Sequence, residues 1–304
     1  MTRLLAFGGF LLGVFGGAAL VSPWLWWSGR WALAAWPQAD LGWLVDHPFP
    51  RYVHRCLLAL ALAGLWPLTR ALGCRTWEAA GWARLPGRWR RMAIGFTVGF
   101  LGFSILIAVE MATGARVWKS GLDEGHLAGG ILRAAMAGIV VAIAEETLFR
   151  GVLFEGLRSP TGAPGAVLAT AGSYSLAHFF SRPEPPNEVT WVSGFEVLAG
   201  MLSGFGAWDR LLPAFLTLFL LGVLFALMRL RERGVHGAVG LHAALVFWMK
   251  MRGLFTATSP IAPSGGDLIS GAPALVLTGA LVIAYLILSH VRGARSDNDL
   301  RPIC

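Results

Sequence analysis

Glu145 and Glu146 stand side by side at the end of an apolar run, and Arg150 follows Glu146 by four residues. A charge near the centre of a bilayer costs at least about 2.5 kcal/mol, so such residues usually face a cavity or a partner. Glu146 and Arg150 share one helix face with the acid N-terminal, the favourable order, so Arg150 can neutralise and orient Glu146. Glu145 is turned about 100° away and has no such partner. A partly desolvated carboxylate without a close cation is poised to accept a proton, which suits a general base. The plainer alternative is that both acids mark the end of a span and are solvated at the interface.

Two imidazoles lie on later apolar runs. His178 follows Tyr174 by four residues, and His242 continues a stripe that includes Gly234 and Ala238. A polar turn at 159–164 separates the run bearing the acids from the run bearing His178. Its centre, near residue 161 or 162, is equidistant from Glu145 and His178. An antiparallel hairpin of continuous helices would set those two side chains at one depth. Small residues at every fourth position, Ala134, Gly138 and Ala142 against Gly165, Ala169, Ser173 and Ala177, would let the two helices approach closely. A lone membrane histidine is more often a packing hydrogen bonder than a catalyst; one level with an unpaired glutamate is a candidate for proton transfer. His236 points to a different face from His242 and reads as interfacial. His47, His54, His126 and His290 lie near span ends, where packing or solvation accounts for them.

The elements that must position these groups are membrane helices. Of 304 residues, 56% are hydrophobic and 14% charged, with 14 Trp and 18 Phe, and mean hydropathy is +0.62. Soluble domains carry roughly 25% charged residues. A span needs about 20 apolar residues, and eight segments approach that: 4–24, 52–68, 92–109, 127–149, 163–180, 211–228, 235–249 and 274–289. The fold class is therefore all-α, a polytopic membrane bundle of about eight transmembrane helices in contact with the lipid bilayer. The seventh segment is short and Gly-rich, as a helix buried among others would be. Three divisions follow: 1–126, N-terminal helices and loops; 127–250, the core bearing the acids and imidazoles; and 251–304, a last helix and tail.

The net charge of +8 does not point to nucleic acid, because the basic residues cluster between apolar runs. Arg3, then Arg70, Arg75, Arg84, Arg88, Arg90 and Arg91, then Arg229, Arg231 and Arg233, then Arg292 and Arg295 all fall on one side of an eight-span bundle. The positive-inside rule makes that side, with both termini, cytoplasmic and fits a multi-pass protein of the inner (plasma) membrane. The opposite loops hold Asp40, Asp46, Asp123, Glu124, Glu184, Glu188 and Asp209. The Trp residues from 24 to 43 read as an interfacial belt after the first span. The middle of the 181–209 loop reads as a half-buried or re-entrant segment. Cys56, Cys74 and Cys304 have neither disulfide nor zinc spacing, and the polar end at 293–304 reads as a disordered tail.

Three of these segments together resemble the CPBP intramembrane proteases, also called the CAAX-protease, bacteriocin-processing or Abi family. Glu145, Glu146 and Arg150 match its Glu-Glu-x-x-x-Arg motif. Tyr174 and His178 match Phe-x-x-x-His with Tyr for Phe. His242 and Val246 match only the histidine of His-x-x-x-Asn. The resemblance covers about residues 130–249. It implies an endopeptidase in which Glu145 and His178 activate a water, Glu146 and Arg150 hold the first carboxylate, and His242 stabilises the oxyanion. It implies a membrane-anchored peptide or protein as substrate partner. Val246 leaves the oxyanion role short of an amide, for which Tyr174, Thr147 and Ser175 are the nearest polar substitutes. Glu145, His178 and His242 are donors acceptable to Zn2+, yet no His-Glu-x-x-His is present, so metal assistance and a direct glutamate–histidine mechanism both stand. Two rival readings remain: a non-enzymatic immunity or assembly factor on the same fold, favoured by Val246, and a proton-coupled transporter.

Overall fold

The computed structural model describes residues 2–40, 42–74, 76–121, 123–181, 183–206, 208–259, 269 and 271–293. Arg75, Arg295 and Cys304 lie outside the described residues, as do the tail beyond Gly293 and the side chains of Arg3, Glu124, Asp209 and Arg292. The chain is almost wholly helical and is a multi-pass membrane bundle. Helix is the expected solution, since lipid offers no hydrogen bonds to a backbone that leaves its own unmade. Among the described residues six helices are long and apolar enough to cross a membrane. One of them, Gly125–Ala177, has 53 residues, more than two spans' worth at about 20 each. It is broken at Gly162, whose φ of 71° and ψ of 176° are not helical, within the polar turn expected at 159–164.

The chain divides into two compact units. The first comprises Met1–Gly73 and Ala177–Trp208. It contains α1 (Thr2–Ala35), the short α2 (Gly42–Val45) and α3 (Phe49–Ala71). The belt expected after a span ending at residue 24 is instead part of α1, which runs on through Trp24, Trp26, Trp27 and Trp31 to Ala35. Trp26 is used for packing: its ring meets Phe49 and Tyr52 edge-on, at 5.8 and 5.1 Å.

The second unit comprises Cys74–Leu176 and Asp209–Cys304. A π-helical turn at Glu78–Trp82 precedes α4 (Arg88–Ala112), which is followed by β1 (Arg116–Trp118) and α5 (Glu124–Glu146). A second π-helical segment, Thr147–Leu153, leads into α6 (Phe154–Ala177). In the first unit, the expected half-buried loop segment forms α7 (Ser193–Leu202), whose Val197 and Met201 close a core with Phe49 and Val53. The second unit resumes with α8 (Trp208–Glu232), α9 (His236–Phe255), β2 (Thr256–Thr258) and α10 (Ala272–Gly293). The two strands pair antiparallel.

In this second unit α9 is the interior helix, with every residue from His236 to Leu245 buried. Glycines set its distance to both neighbours. On α4, Gly95 seats against the carbonyl of Gly237, and a Cβ at Gly99 would come 2.9 Å from that of Leu241. On α5, a Cβ at Gly138 would come 2.7 Å from the Ala243 carbonyl, and Ala142 joins Val235, Val239 and Ala243 in one cluster. The small face of α5 thus serves α9 rather than α6. The stripe expected on α6 does not make a contact face either: Ala169 and Ala177 are exposed, and the buried side is Ala166, Val167, Thr170, Ala171 and Tyr174. That side meets α8, where Ala226 packs on Phe154, Leu157, Ala166 and Val167 and Gly222 lies against Ala171.

Candidate active site

The last turn of α5 and the following π segment carry Glu145, Glu146 and Arg150, and the second turn of α9 carries His242. The side chains of Glu146 and Arg150 have no solvent exposure, and Arg150 Nη1 donates to Glu146 Oε1 at 3.1 Å, the local pairing that i, i+4 spacing dictates. Arg150 Nη2 donates to the carbonyl of Gly222 on α8 at 3.3 Å. Its guanidinium lies over Tyr174 at 4.3 Å and Phe225 at 4.9 Å from the ring centroids. A delocalised, weakly hydrated cation tolerates such an aromatic cage better than an ammonium would.

His242 is held between the two carboxylates. Its Nδ1 lies 2.8 Å from Glu146 Oε1 and its Nε2 3.7 Å from Glu145 Oε2. The first is a hydrogen bond; the second is within ion-pair reach but too long for one. Glu146 is engaged by a guanidinium that keeps its protons, so the Nδ1 of His242 is the donor to the carboxylate. Its Nε2 is on the side of Glu145. Phe225 stacks on the imidazole at 5.2 Å and 11°, and Tyr174 meets it edge-on at 6.0 Å, so the ring is fixed on its faces as well.

Glu145 is the accessible member, with a side chain 30% exposed. Its Oε2 and that of Glu146 are buried atoms without a hydrogen-bond partner. One carboxylate is thus locked by an arginine and a histidine, while its neighbour keeps an unspent oxygen facing the same imidazole. This is the division expected of Glu145 and Glu146 from their positions relative to Arg150, with His242 added to the locked side.

Helix α6 ends at Ala177, and His178 follows in the turn, exposed, in the other compact unit. Between Glu145 and His178, where two continuous helices were expected, the connection contains a π segment and the break at Gly162. Catalytic zinc takes three protein ligands. Glu145 and His242 Nε2 supply two donors, Glu146 is committed to Arg150, and no group of three or more His, Cys, Asp or Glu among the described residues is arranged to hold a metal ion. The residues of this unit do not fit zinc by themselves.

The hydroxyls near the site are already occupied. Thr147 Oγ1 donates to the Ile143 carbonyl at 2.6 Å and accepts from Trp82 Nε1 at 2.9 Å, and Ser175 Oγ donates to the Phe215 carbonyl at 2.9 Å. Val246 is half-buried one turn beyond His242. Two buried groups and one half-buried arginine were not foreseen. His236, read as interfacial, is buried edge-on against Trp82 at 5.4 Å. Arg229, counted among loop cations, is buried and pairs with Glu155 at 3.2 Å. Arg252 makes two bonds to Glu110, at 2.7 and 2.8 Å. The acids at 110 and 155, just beyond apolar runs, were the available signal.

Comparison with known proteins agrees with the motifs. No curated protein and no solved structure matches the chain. Residues 127–248 match the family model described as type II CAAX prenyl endopeptidase Rce1-like. The matched stretch, less than half of the chain, carries Glu145, Glu146, Arg150 and His242 and is similar to the domain of the CPBP, or CAAX-protease, family.

Proposed function

We propose that this protein is an intramembrane endopeptidase that hydrolyses a peptide bond of a membrane-anchored peptide or protein. The observation that carries the reading is the pairing of a locked carboxylate with an unlocked one on either side of His242. Glu145 takes a proton from a water as its oxygen bonds to the scissile carbonyl carbon. The tetrahedral intermediate collapses with cleavage of the C–N bond, and the proton passes to the leaving amine. His242 is assigned, on the family motif, to stabilise the oxyanion, and Glu146 with Arg150 holds its ring. His178 is assigned, on the family motif, as the second proton-transfer group. The mechanism needs no metal, and a zinc-assisted variant would require a third donor beyond Glu145 and His242. We assign residues 127–250 as the catalytic core, between the helices of 1–126 and those of 251–304, in the inner (plasma) membrane with both termini cytoplasmic.

The test is Glu145→Gln in proteoliposomes with a transmembrane peptide library, alongside metal analysis of the purified wild type. Wild type is expected to cleave, and the variant to lose cleavage while unfolding at the same temperature. Retained proteolysis in the variant rejects the mechanism. Val246, where the family carries an amide, favours the rival reading of a non-enzymatic factor; that reading wins if wild type cleaves nothing and Glu145 is dispensable in cells.

A further inference from the structure

The second unit buries another acid–base pair beside the cluster. Glu155 on α6 is 2% exposed and Arg229 on α8 is 1% exposed. Arg229 Nη2 donates to Glu155 Oε2 at 3.2 Å, and Arg158 Nη1 lies 3.9 Å from the other carboxylate oxygen. Burying such a pair is a poor way to add stability, because desolvation offsets the attraction. The other donors of Arg229 indicate its use. Its Nε donates to the main-chain carbonyl of Arg150 at 3.2 Å, and Nη2 to that of Ala79 at 3.4 Å. Two turns earlier on α8, the Gly222 carbonyl accepts from the guanidinium of Arg150. One helix therefore holds Arg150 at both ends, side chain and main chain.

Arg150 lies inside the π segment Thr147–Leu153. Such widened turns depart from regular helical pairing and recur at functional sites. Here the segment is braced from outside: by Arg229, by Trp82 on Thr147, and by Gly151 seated against the Ala80 carbonyl.

We propose that Arg229, oriented by Glu155, is a positioning residue for the Glu145–Glu146–His242 cluster. It fixes the main chain at Arg150 and thereby the turn that presents both carboxylates to His242. Three acceptors in different directions, two carbonyls and a carboxylate, call for a planar fork; a lysine ammonium does not reproduce that geometry. The inference rests on the hydrolytic reading only for its effect on turnover.

The experiment uses the full chain in lipid nanodiscs as wild type, Arg229→Lys and Glu155→Gln. Arg252→Lys serves as the control, because its pairing with Glu110 is in the same unit and lies at the far end of α9 from His242. Hydrogen exchange is read for the amides of 147–153, and kcat and KM are read on a transmembrane peptide. Arg229→Lys and Glu155→Gln are expected to speed exchange in that segment by at least about tenfold. They should lower kcat by at least about tenfold, as small misplacements of reacting groups do, with KM within about twofold. Arg252→Lys should leave both unchanged. If Arg229→Lys does not fold, Glu155→Gln decides alone. The proposal is overturned if folded variants show wild-type exchange at 147–153, or if their kcat matches that of Arg252→Lys. If wild type hydrolyses nothing, the hydrolytic reading falls, and the exchange measurement still decides whether Arg229 fixes the turn.

Discussion

Arg150→Met keeps much of the side chain's length and apolar bulk and deletes the charge. At 3.1 Å from Glu146, with neither side chain exposed, the attraction is about 5 kcal/mol at an effective dielectric near 20. The aromatic faces of Tyr174 and Phe225 add up to about 2 kcal/mol when the cation is desolvated. Burying the two ions costs several kcal/mol each, so the intact pair nets little. Removing one member strands the other, and the expected loss is about 3–5 kcal/mol. Glu146→Gln strands Arg150 and should cost a comparable amount, while Gln retains a group able to bond His242. The double variant removes both charges and should lose no more than either single one, giving a coupling of about 3 kcal/mol. Reversible unfolding in mixed micelles, run as a double-mutant cycle, measures this. Losses that add to within about 0.5 kcal/mol would refute the coupling. A silent Glu146→Gln beside a costly Arg150→Met would mean that the arginine serves its aromatic cage instead of the carboxylate.

Two further variants probe how the π segments are seated. Gly151→Ala drives a Cβ into the Ala80 carbonyl, a clash with backbone that no side-chain rotation relieves; a loss of about 1–3 kcal/mol is expected in the same unfolding assay, and unchanged stability would show that the two segments part easily. Trp82→Phe removes the indole donor to Thr147 but keeps a ring against His236. It should cost about 1 kcal/mol, and a loss above about 3 kcal/mol would give the ring packing the larger role.

The membrane bundle was legible in the sequence because lipid imposes long apolar helices, and a run of about 20 such residues has few other uses. The Glu146–Arg150 pair was legible because i, i+4 geometry is local to one helix, and the turn near 161 because Gly and Pro mark it. Tertiary structure decided the rest. In a bilayer the lipid-facing and protein-facing positions of a helix are both apolar, so hydropathy gives the depth of a residue without saying which neighbour covers it. The small face of α5 met α9 instead of α6, and the small stripe of α6 faced outward, for that reason. Arg229 looked like a loop cation until Glu155, 74 residues away, was found beside it. His242 between Glu145 and Glu146 likewise needed the packing of α9 against α5, set by the small residues Gly138, Ala142 and Ala243, which no spacing along a single helix encodes.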